Sequence, residues 1–218
     1  MPIKLILFDL DGTLVNTSED LTHALNFALK PFGLRELEVE DTIKLVGEGI
    51  TRLIEKALVN ERVQQRGKAI QRFLDYYAKH LTDFSKVYPG VPETLKKLHN
   101  FKKVVISNKR EYLSVKLLDD LGLLNYFNMV VGSDTTSEKK PSAVPVLYIL
   151  KELHVTPEQA VIVGDSNFDI EAGKKAGIKT IAVTYGFRGK NLLLDADYMI
   201  DEFNELPSVL DRNSPKLI

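Results

Sequence analysis

Asp9 and Asp11 follow an apolar run near the start of the chain and are separated by a single leucine, with Gly12 and Thr13 directly behind them. Two carboxylates this close repel each other, so one of them would hold a proton unless a cation lay beside them. A hard divalent ion with oxygen ligands, most simply Mg²⁺, would remove that repulsion. The pair alone is weak support for such a site, because aspartate is also common in turns that follow strands.

Two further groups of polar residues stand after apolar runs. Ser107 and Asn108 follow KVVI and can offer a hydroxyl, an amide and backbone N–H groups to an anion. Lys139 and Lys140 stand before Pro141, in a segment where lysines are ordinarily solvated. Each group has a plain structural explanation, as a helix cap or as an exposed charge.

A second acidic pair, Asp165 and Asp169, follows the apolar run AVIVG. If a helix begins near Ser166, both carboxylates lie on one side of its first turn, where the helix dipole favours negative charge. Capping explains this pair taken by itself, since short motifs recur by chance. Four such groups after successive apolar runs, in the order acidic pair, hydroxyl, lysine and acidic pair, are better explained by one shared site.

The elements that must position these groups are five short apolar runs rich in Val and Ile. They are KLILF at 4–8, KVVIS at 103–107, MVVG at 129–132, AVIVG at 160–164 and TIAVT at 180–184. Such runs are typical of strands buried on both faces of a parallel sheet. Helical patterns lie between most of them, at 92–100, 111–122, 144–154 and 169–177, and YMI at 198–200 predicts an edge strand. We therefore predict a doubly wound parallel α/β sheet, whose ligands bind beyond the carboxyl ends of its strands.

The first strand is followed by a long segment with helical patterns only. Ser18, with Glu19 and Asp20 behind it, predicts a helix start there. We predict a small α-helical cap domain at 16–85, inserted into a core domain of residues 1–15 and 86–218. Its hinges are expected near 14–18 and 83–90.

Gly47, Gly49 and Arg52, in the segment VGEGITR, are the cap residues that we expect to face the site. A helix that begins there would offer backbone N–H groups to a substrate carboxylate. A Gly-x-Gly pattern is a weak signal by itself, and Glu48 would be a poor neighbour for an anion.

Two groups of cap and core residues are expected to be structural. Phe73, Tyr76 and Tyr77 recur at helical spacing, which favours the core of the cap. The four histidines stand in helical segments away from strand ends: His23, His80, His99 and His154.

Composition excludes several classes of function. A net charge of −1, from 29 basic and 30 acidic residues among 218, gives no overall field for nucleic acid or an anionic membrane. The absence of cysteine excludes disulfides, thiolate catalysis and cysteine-based metal sites. No apolar window approaches the length of a membrane span. We expect a soluble cytoplasmic protein, monomeric or homodimeric.

The order of the motifs resembles the haloacid dehalogenase superfamily of phosphohydrolases over essentially the whole chain. The matching segments are DLDGTL from Asp9, ISN with Ser107, KP with Lys140, and GDSNFD with Asp165 and Asp169. The helical insert resembles the small type of cap in that superfamily. Four other segments are similar to its phosphoglycolate phosphatase subgroup: VGEGITRLIEKAL, YPGVPETLKKL, VGSDTTSEKKP and TYGFRG.

The resemblance implies an Mg²⁺-dependent phosphatase that forms an aspartyl-phosphate. Asp9 would be the nucleophile, and Asp11 would protonate the leaving group and later deprotonate water. The metal would be bound by an Asp9 oxygen, the Asp11 backbone carbonyl and Asp165. Asp169 would support this metal site, either by pairing with Lys140 or through a metal-bound water.

The resemblance also assigns the phosphoryl oxygens to Lys140, Ser107 and nearby backbone amides. Lys140 is preferred to Lys139 because it stands immediately before Pro141. The candidate substrate-binding residues are Gly12, Thr13, Gly47, Gly49, Arg52, Ser107, Asn108 and Lys140.

Two departures from the subgroup leave the small phosphorylated substrate open. Arg110 stands where phosphoglycolate phosphatases usually have proline, and KPSAVP replaces their tighter K-P-x-P spacing. A pyrophosphatase, a sugar-phosphate phosphatase and a phosphoglucomutase-like enzyme remain alternatives. A receiver-like or non-catalytic phospho-ligand-binding protein is more distant, because receivers lack such an insert and a silent relative would be expected to lose one of the four charged motif residues.

Overall fold

The computed structural model describes residues 2–58 and 64–212 of the chain. Its strands are β1 (Leu5–Phe8), β2 (Val15–Asn16), β3 (Lys86–Val87), β4 (Lys102–Ile106), β5 (Met129–Val131), β6 (Ala160–Gly164), β7 (Lys179–Val183) and β8 (Tyr198–Ile200). Its helices are α1 (Ser18–Leu29), α2 (Val39–Leu45), α3 (Gly49–Ala57), α4 (Arg66–Tyr77), α5 (Val91–Lys97), α6 (Glu111–Asp120), α7 (Val144–Glu152), α8 (Asn167–Ala176) and α9 (Leu206–Arg212).

The main sheet has six parallel strands in the order β5-β4-β1-β6-β7-β8. The side chains of β1 lie on both faces of the sheet, because successive side chains of a strand point to opposite faces. Leu5 and Leu7 pack with α7 and α8, whereas Ile6 and Phe8 join the cluster that contains α5, α6 and α9. The predicted doubly wound parallel α/β sheet is confirmed, and each predicted strand lies within one residue of its observed bounds.

The carboxyl ends of the three central strands lie level with one another. Phe8 of β1 pairs with Val105 of β4 and with Val163 of β6. The residues that follow these strands therefore leave the sheet at the same edge, which is where the sequence placed the site.

Helices α1–α4 form the cap above this edge, with buried side chains such as Leu25, Ile54 and Phe73 between them. The stretch TIKLVGEGITRLIEKALV, at 42–59, has a helical pattern in the sequence, but the structure divides it into α2 and α3. Gly47 and Gly49 have φ values of 116° and 78°, a left-handed conformation that interrupts the helix at little cost for glycine. Residue 59 lies outside the described residues.

The two connections between the core and the cap run side by side. β2 and β3 form an antiparallel ribbon, which the sequence did not predict because strands of two residues carry no periodicity. The buried carboxylate of Asp20 accepts hydrogen bonds from the N–H groups of Phe84 (3.1 Å) and Ser85 (2.8 Å) and from the Ser85 hydroxyl (2.6 Å). These paired connections support the predicted boundaries of the cap at 16 and 85, which remain a prediction. The predicted limits of the core domain, residues 1 and 218, lie outside the described residues.

No helix among residues 2–58 and 64–212 has both the length and the apolar character that crossing a membrane requires.

Candidate active site

The Asp9 carboxylate lies directly beyond β1 and is largely buried. Its Oδ1 accepts the Leu10 N–H at 2.7 Å and lies 2.9 Å from the Lys140 ammonium. The same ammonium donates to Asp169 Oδ1 and to the Ile106 carbonyl, both at 2.6 Å. Lys140 therefore links the ends of β1 and β4 to the start of α8.

Asp9, Asp165 and Asp169 form a buried acidic cluster in which one carboxylate oxygen from each lies within 4.8 Å of the others. Burial raises the pKa of Asp9 to about 7, the Asp169 charge adds to the rise, and Lys140 opposes it. Burial and the Asp9 charge also raise the pKa of Asp165 well above its ordinary range. The three carboxylates are hard oxygen donors, and the Lys140 ammonium alone does not balance their negative charge. Such a cluster fits a divalent cation such as Mg²⁺.

Asp165 is enclosed by backbone on several sides. The Phe187 N–H donates to its Oδ2 at 2.6 Å, and the Thr13 hydroxyl lies 3.4 Å from its Oδ1. A Cβ at Gly12 or at Gly186 would overlap the Asp165 carboxylate, so these two glycines permit the close approach. The Asp165 carboxylate is thereby fixed in one position beside Asp9.

Both carboxylate oxygens of Asp169 have protein partners. Oδ1 accepts from Lys140, and Oδ2 accepts from the N–H (3.1 Å) and the hydroxyl (2.6 Å) of Ser166 in the capping box of α8. The expected pairing with Lys140 is present. This arrangement favours a supporting role for Asp169 over direct metal ligation.

Asp11 has a different set of partners from Asp9. Its Oδ1 accepts from the Thr17 hydroxyl at 2.6 Å and from the Lys109 ammonium at 2.5 Å. Lys109 also donates to the Tyr77 hydroxyl of cap helix α4 at 2.9 Å. Burial lowers the pKa of Lys109, but the Asp11 carboxylate and Tyr77 outweigh it, so that the pKa is raised.

Three successive backbone carbonyls of the cap accept hydrogen bonds from three core side chains. The carbonyls belong to residues 46–48, here called the cap loop, and the donors follow strands β7, β4 and β5. The pairs are Arg188 with Val46, Asn108 with Gly47 (2.8 Å) and Lys139 with Glu48 (2.7 Å). Side chains of the core are thus hydrogen-bonded to main-chain carbonyls of the cap.

The hydrogen bond to the cap loop changes the expected role of Asn108. Its amide nitrogen donates to Gly47 and, at 2.9 Å, to the Lys140 carbonyl, and its Oδ1 is buried without a hydrogen-bond partner. The Asn108 side chain therefore ties the cap to the core and does not offer its N–H groups to an anion. Lys139, the lysine not preferred from the sequence, reaches the cap loop and leaves Lys140 at the acidic cluster.

A cleft lies between the sheet edge and the cap, with an empty volume of about 760 Å³ that includes its opening to solvent. Its cations are Lys109, Arg110, Lys140 and Arg188. Its apolar wall includes Leu21, Ile50, Leu53, Phe73 and Leu113. The predicted site residues that line it are Asp9, Asp11, Gly47, Gly49, Ser107, Asn108, Lys140 and Asp165.

Three predicted substrate-binding residues are not brought to the cleft. Gly12 and Thr13 lie against the Asp165 carboxylate and do not line the cleft. The Gly12 N–H donates a hydrogen bond to the Val15 carbonyl at 2.9 Å. The exposed Arg52 side chain pairs with Glu55 at 2.6 Å on the surface of α3.

The cap segment around Arg52 also resolves the expected difficulty with Glu48. The Glu48 carboxylate is paired with Lys56 and Arg52, whereas its backbone carbonyl accepts a hydrogen bond from Lys139 of the core. The start of α3 at Gly49 and Ile50 lines the cleft, in agreement with the predicted orientation of this segment.

Sequence reasoning missed Lys109, Arg188 and the polar role of Tyr77. Tyr77 is buried in the cap, as expected, but its hydroxyl also reaches the Lys109 ammonium. Lys109 directly follows the strand-end pair Ser107 and Asn108, and this position was the available signal. None of the four histidines lines the cleft.

The profile of the haloacid dehalogenase-like hydrolases matches residues 6–183, a span that contains the acidic cluster and both lysines of the site. The chain belongs to this family. It is 40% identical over 213 residues to the phosphoglycolate phosphatase of Aquifex aeolicus, which covers 97% of this chain and 98% of that protein. It is also 40% identical to the phosphoglycolate phosphatase of Chromobacterium violaceum, with 94% and 95% covered.

A crystal structure of a predicted phosphoglycolate phosphatase from Haemophilus somnus has the same fold. It superposes with a TM-score of 0.88 at 30% identity and covers 95% of this chain and 97% of that one. The protein is accordingly an enzyme, a phosphatase of this family, as the order of its motifs predicted.

Proposed function

We propose that this phosphatase hydrolyses 2-phosphoglycolate to glycolate and phosphate, with Mg²⁺, through an aspartyl-phosphate on Asp9. The observation that carries the mechanism is the separation of the two aspartates. Asp9 lies against Lys140 and the acidic cluster, whereas Asp11 is held by Lys109 and Thr17. Two carboxylates that stand together in the sequence thus have partners suited to two different tasks.

In the first step an Asp9 carboxylate oxygen attacks phosphorus, and the bond from phosphorus to the alkoxide oxygen breaks. Asp11 gives its proton to that oxygen, so that glycolate leaves as an alcohol. Lys140 and the Ser107 hydroxyl, both on the cleft, stabilise charge on the phosphoryl oxygens. When bound by Asp9, Asp165 and the Asp11 carbonyl, Mg²⁺ would neutralise charge on the phosphoryl group and on Asp9.

In the second step water attacks the phosphorus of the aspartyl-phosphate, and Asp11 takes a proton from that water. The bond between phosphorus and the Asp9 oxygen breaks, which releases phosphate and restores both carboxyl groups. Asp169 holds Lys140 in place through both steps.

The charges of the cleft support an anionic substrate of small size. Its lining combines four cations with three carboxylates: Lys109, Arg110, Lys140 and Arg188 with Asp9, Asp11 and Asp165. Bound Mg²⁺ would add to the positive charge, which suits the phosphate and the carboxylate of 2-phosphoglycolate. The two relatives from Aquifex aeolicus and Chromobacterium violaceum are named phosphoglycolate phosphatases, and this chain matches nearly their whole length. We propose that the enzyme, which has no cysteine, is cytoplasmic and either monomeric or homodimeric. Its partner is a small phosphorylated metabolite.

Pyrophosphate is a second candidate substrate because Arg110, which departs from the subgroup pattern, lines the cleft. An additional cation at this position would suit a second phosphate group. Sugar phosphates and a phosphoglucomutase-like reaction have no comparable support among the described contacts.

The test is phosphate release from a panel of 2-phosphoglycolate, pyrophosphate, hexose phosphates and nucleotides, each with Mg²⁺ and with a chelator. We expect Mg²⁺-dependent hydrolysis with the highest kcat/KM for 2-phosphoglycolate. A preference for another compound would overturn the substrate and keep the mechanism. Undiminished activity in chelator would overturn the metal requirement.

A further inference from the structure

The two oxygens of the Asp11 carboxylate have unequal surroundings. Thr17 and Lys109 both donate to Oδ1, at 2.6 Å and 2.5 Å. Among the described residues, no hydrogen bond reaches Oδ2. Two donors on one oxygen fix the rotation of the carboxyl group and leave Oδ2 free to meet a substrate, since Asp11 lines the cleft.

This asymmetry decides which oxygen carries the catalytic proton. In a protonated carboxyl group, the carbonyl oxygen is the stronger hydrogen-bond acceptor and the other oxygen holds the proton. Lys109 has donors only, so Oδ1 remains an acceptor in both protonation states. Oδ2 is then the atom that gives its proton to the leaving oxygen and later receives one from water.

The ammonium of Lys109 is itself positioned by the cap. Its second partner is the hydroxyl of Tyr77 at 2.9 Å, and the ammonium also lies 5.0 Å from the centre of the Tyr77 ring. The side chain of Lys109 is 5% exposed and Tyr77 is 1% exposed, so water competes little for these contacts. Tyr77 belongs to α4, so a cap helix reaches Asp11 through a single lysine.

We propose that Lys109 is a positioning residue, which holds Asp11 Oδ1 so that Oδ2 carries the proton to the leaving group, and that Tyr77 of the cap orients Lys109 for this task. The inference rests on the proposed role of Asp11 as acid and base. Lys109 is distinct from the lysine of the acidic cluster, because Lys140 lies between Asp9 and Asp169 whereas Lys109 lies between Asp11 and Tyr77.

The experiment compares two substrates that differ in their need for a proton. The alkoxide of 2-phosphoglycolate must be protonated as it leaves, whereas p-nitrophenolate leaves as a stable anion. The measured quantity is kcat/KM, because it reports formation of the aspartyl-phosphate and excludes its later hydrolysis, which is common to both substrates. Should the panel select another alkyl phosphate, that compound replaces 2-phosphoglycolate.

We expect Lys109→Met to lower kcat/KM for the alkyl phosphate about 100-fold, within the range for general acid catalysis, and for p-nitrophenyl phosphate less than about fivefold. Lys109→Arg should recover part of the loss, since a guanidinium can also donate to Oδ1. Tyr77→Phe should give a smaller loss with the same preference for the substrate that needs a proton.

Lys103→Met is the matched control for the removal of a buried lysine. Lys103 donates to the Leu98 and Phe101 carbonyls and does not line the cleft. We expect this variant to change kcat/KM for both substrates by the same factor.

Equal losses on both substrates in Lys109→Met and Tyr77→Phe would overturn the inference and leave Lys109 a structural residue. Asp11→Asn separates this failure from that of the proposed function. If Asp11→Asn discriminates between the substrates and the Lys109 variants do not, only the inference fails. If Asp11→Asn does not discriminate either, the proposed acid role of Asp11 fails and the inference falls with it. If Lys109→Met does not fold, Tyr77→Phe and Lys109→Arg still decide the outcome.

Discussion

The two walls of the cleft are built from different kinds of groups. The core wall carries the charged side chains at strand ends, and each carboxylate of its acidic cluster lies beside a fixed donor. The cap wall consists mainly of apolar side chains and the backbone of the cap loop, together with the Tyr77 hydroxyl that meets Lys109. The difference indicates that the core supplies the reacting groups, whereas the cap determines which substrates enter and how water is excluded and reaches the reacting groups only through Tyr77.

The largest test of this contrast is Asp9→Asn in the core wall. We expect kcat to fall by about 10⁴-fold or more, because an amide cannot form the covalent intermediate. The measurement is phosphate release, with circular dichroism to check that the fold is retained. Turnover within tenfold of the wild type would show that the nucleophile lies elsewhere.

Asp165→Asn removes one negative charge from the same wall without changing its shape. We expect the Mg²⁺ concentration for half-maximal activity to rise by about 10- to 100-fold, with partial recovery of activity at high Mg²⁺. Titration of activity with Mg²⁺ measures this shift. An unchanged metal dependence would contradict the ligand role of Asp165.

Lys139→Met removes a contact between the core and the cap loop and leaves the acidic cluster intact. Loss of its hydrogen bond to the Glu48 carbonyl should cost about 1 kcal/mol of cap closure, equivalent to about a fivefold rise in KM with little change in kcat. Lys174→Met, on the exposed face of α8, is the control and should change neither constant. A loss confined to kcat would instead indicate that Lys139 acts on the chemical step.

The smallest expected effect is a pH dependence of stability in the metal-free enzyme. The pKa of Asp9 is about 7 in the folded protein and 3.8 ordinarily, so between these values the folded state binds more protons and stability falls as pH rises. In chelator, the melting temperature of Asp9→Asn relative to the wild type should therefore increase from pH 5 to pH 8, by about 3 °C or more. If the melting temperatures of Asp9→Asn and the wild type differ by the same amount at pH 5 and at pH 8, the raised pKa of Asp9 is contradicted. Added Mg²⁺ should reduce the change in this difference with pH.

The core wall could be predicted from the sequence for a physical reason. Strands buried on both faces appear as short apolar runs, and in a parallel sheet the residues that follow such runs meet at one edge. This argument predicts that Asp9, Ser107 and Asp165 meet at one edge, and all three line the cleft. Lys140, which lines it too, was distinguished from Lys139 only by its place immediately before Pro141.

The contacts between the two walls could not be predicted in the same way. Lys109 and Tyr77 are 32 residues apart, and Arg188 and Val46 are 142 apart, so no local pattern relates them. Arg52 was expected at the site because it is close in sequence to Gly49. The helix turns by about 100° per residue, so that Ile50 and Leu53 face the cleft while Arg52 faces solvent.

The ribbon formed by β2 and β3 makes the cap an exchangeable module. Val15 pairs with Val87 and Asn16 with Lys86, so the two ends of the insert lie about 5 Å apart, as antiparallel partners do. A gap of this size can be closed by a two-residue turn, so deletion of the insert would leave the six-stranded sheet with its own connections. In such an architecture, a new cap can be acquired by insertion at a single point of the chain, while the strand-end carboxylates and lysine stay where the sheet holds them.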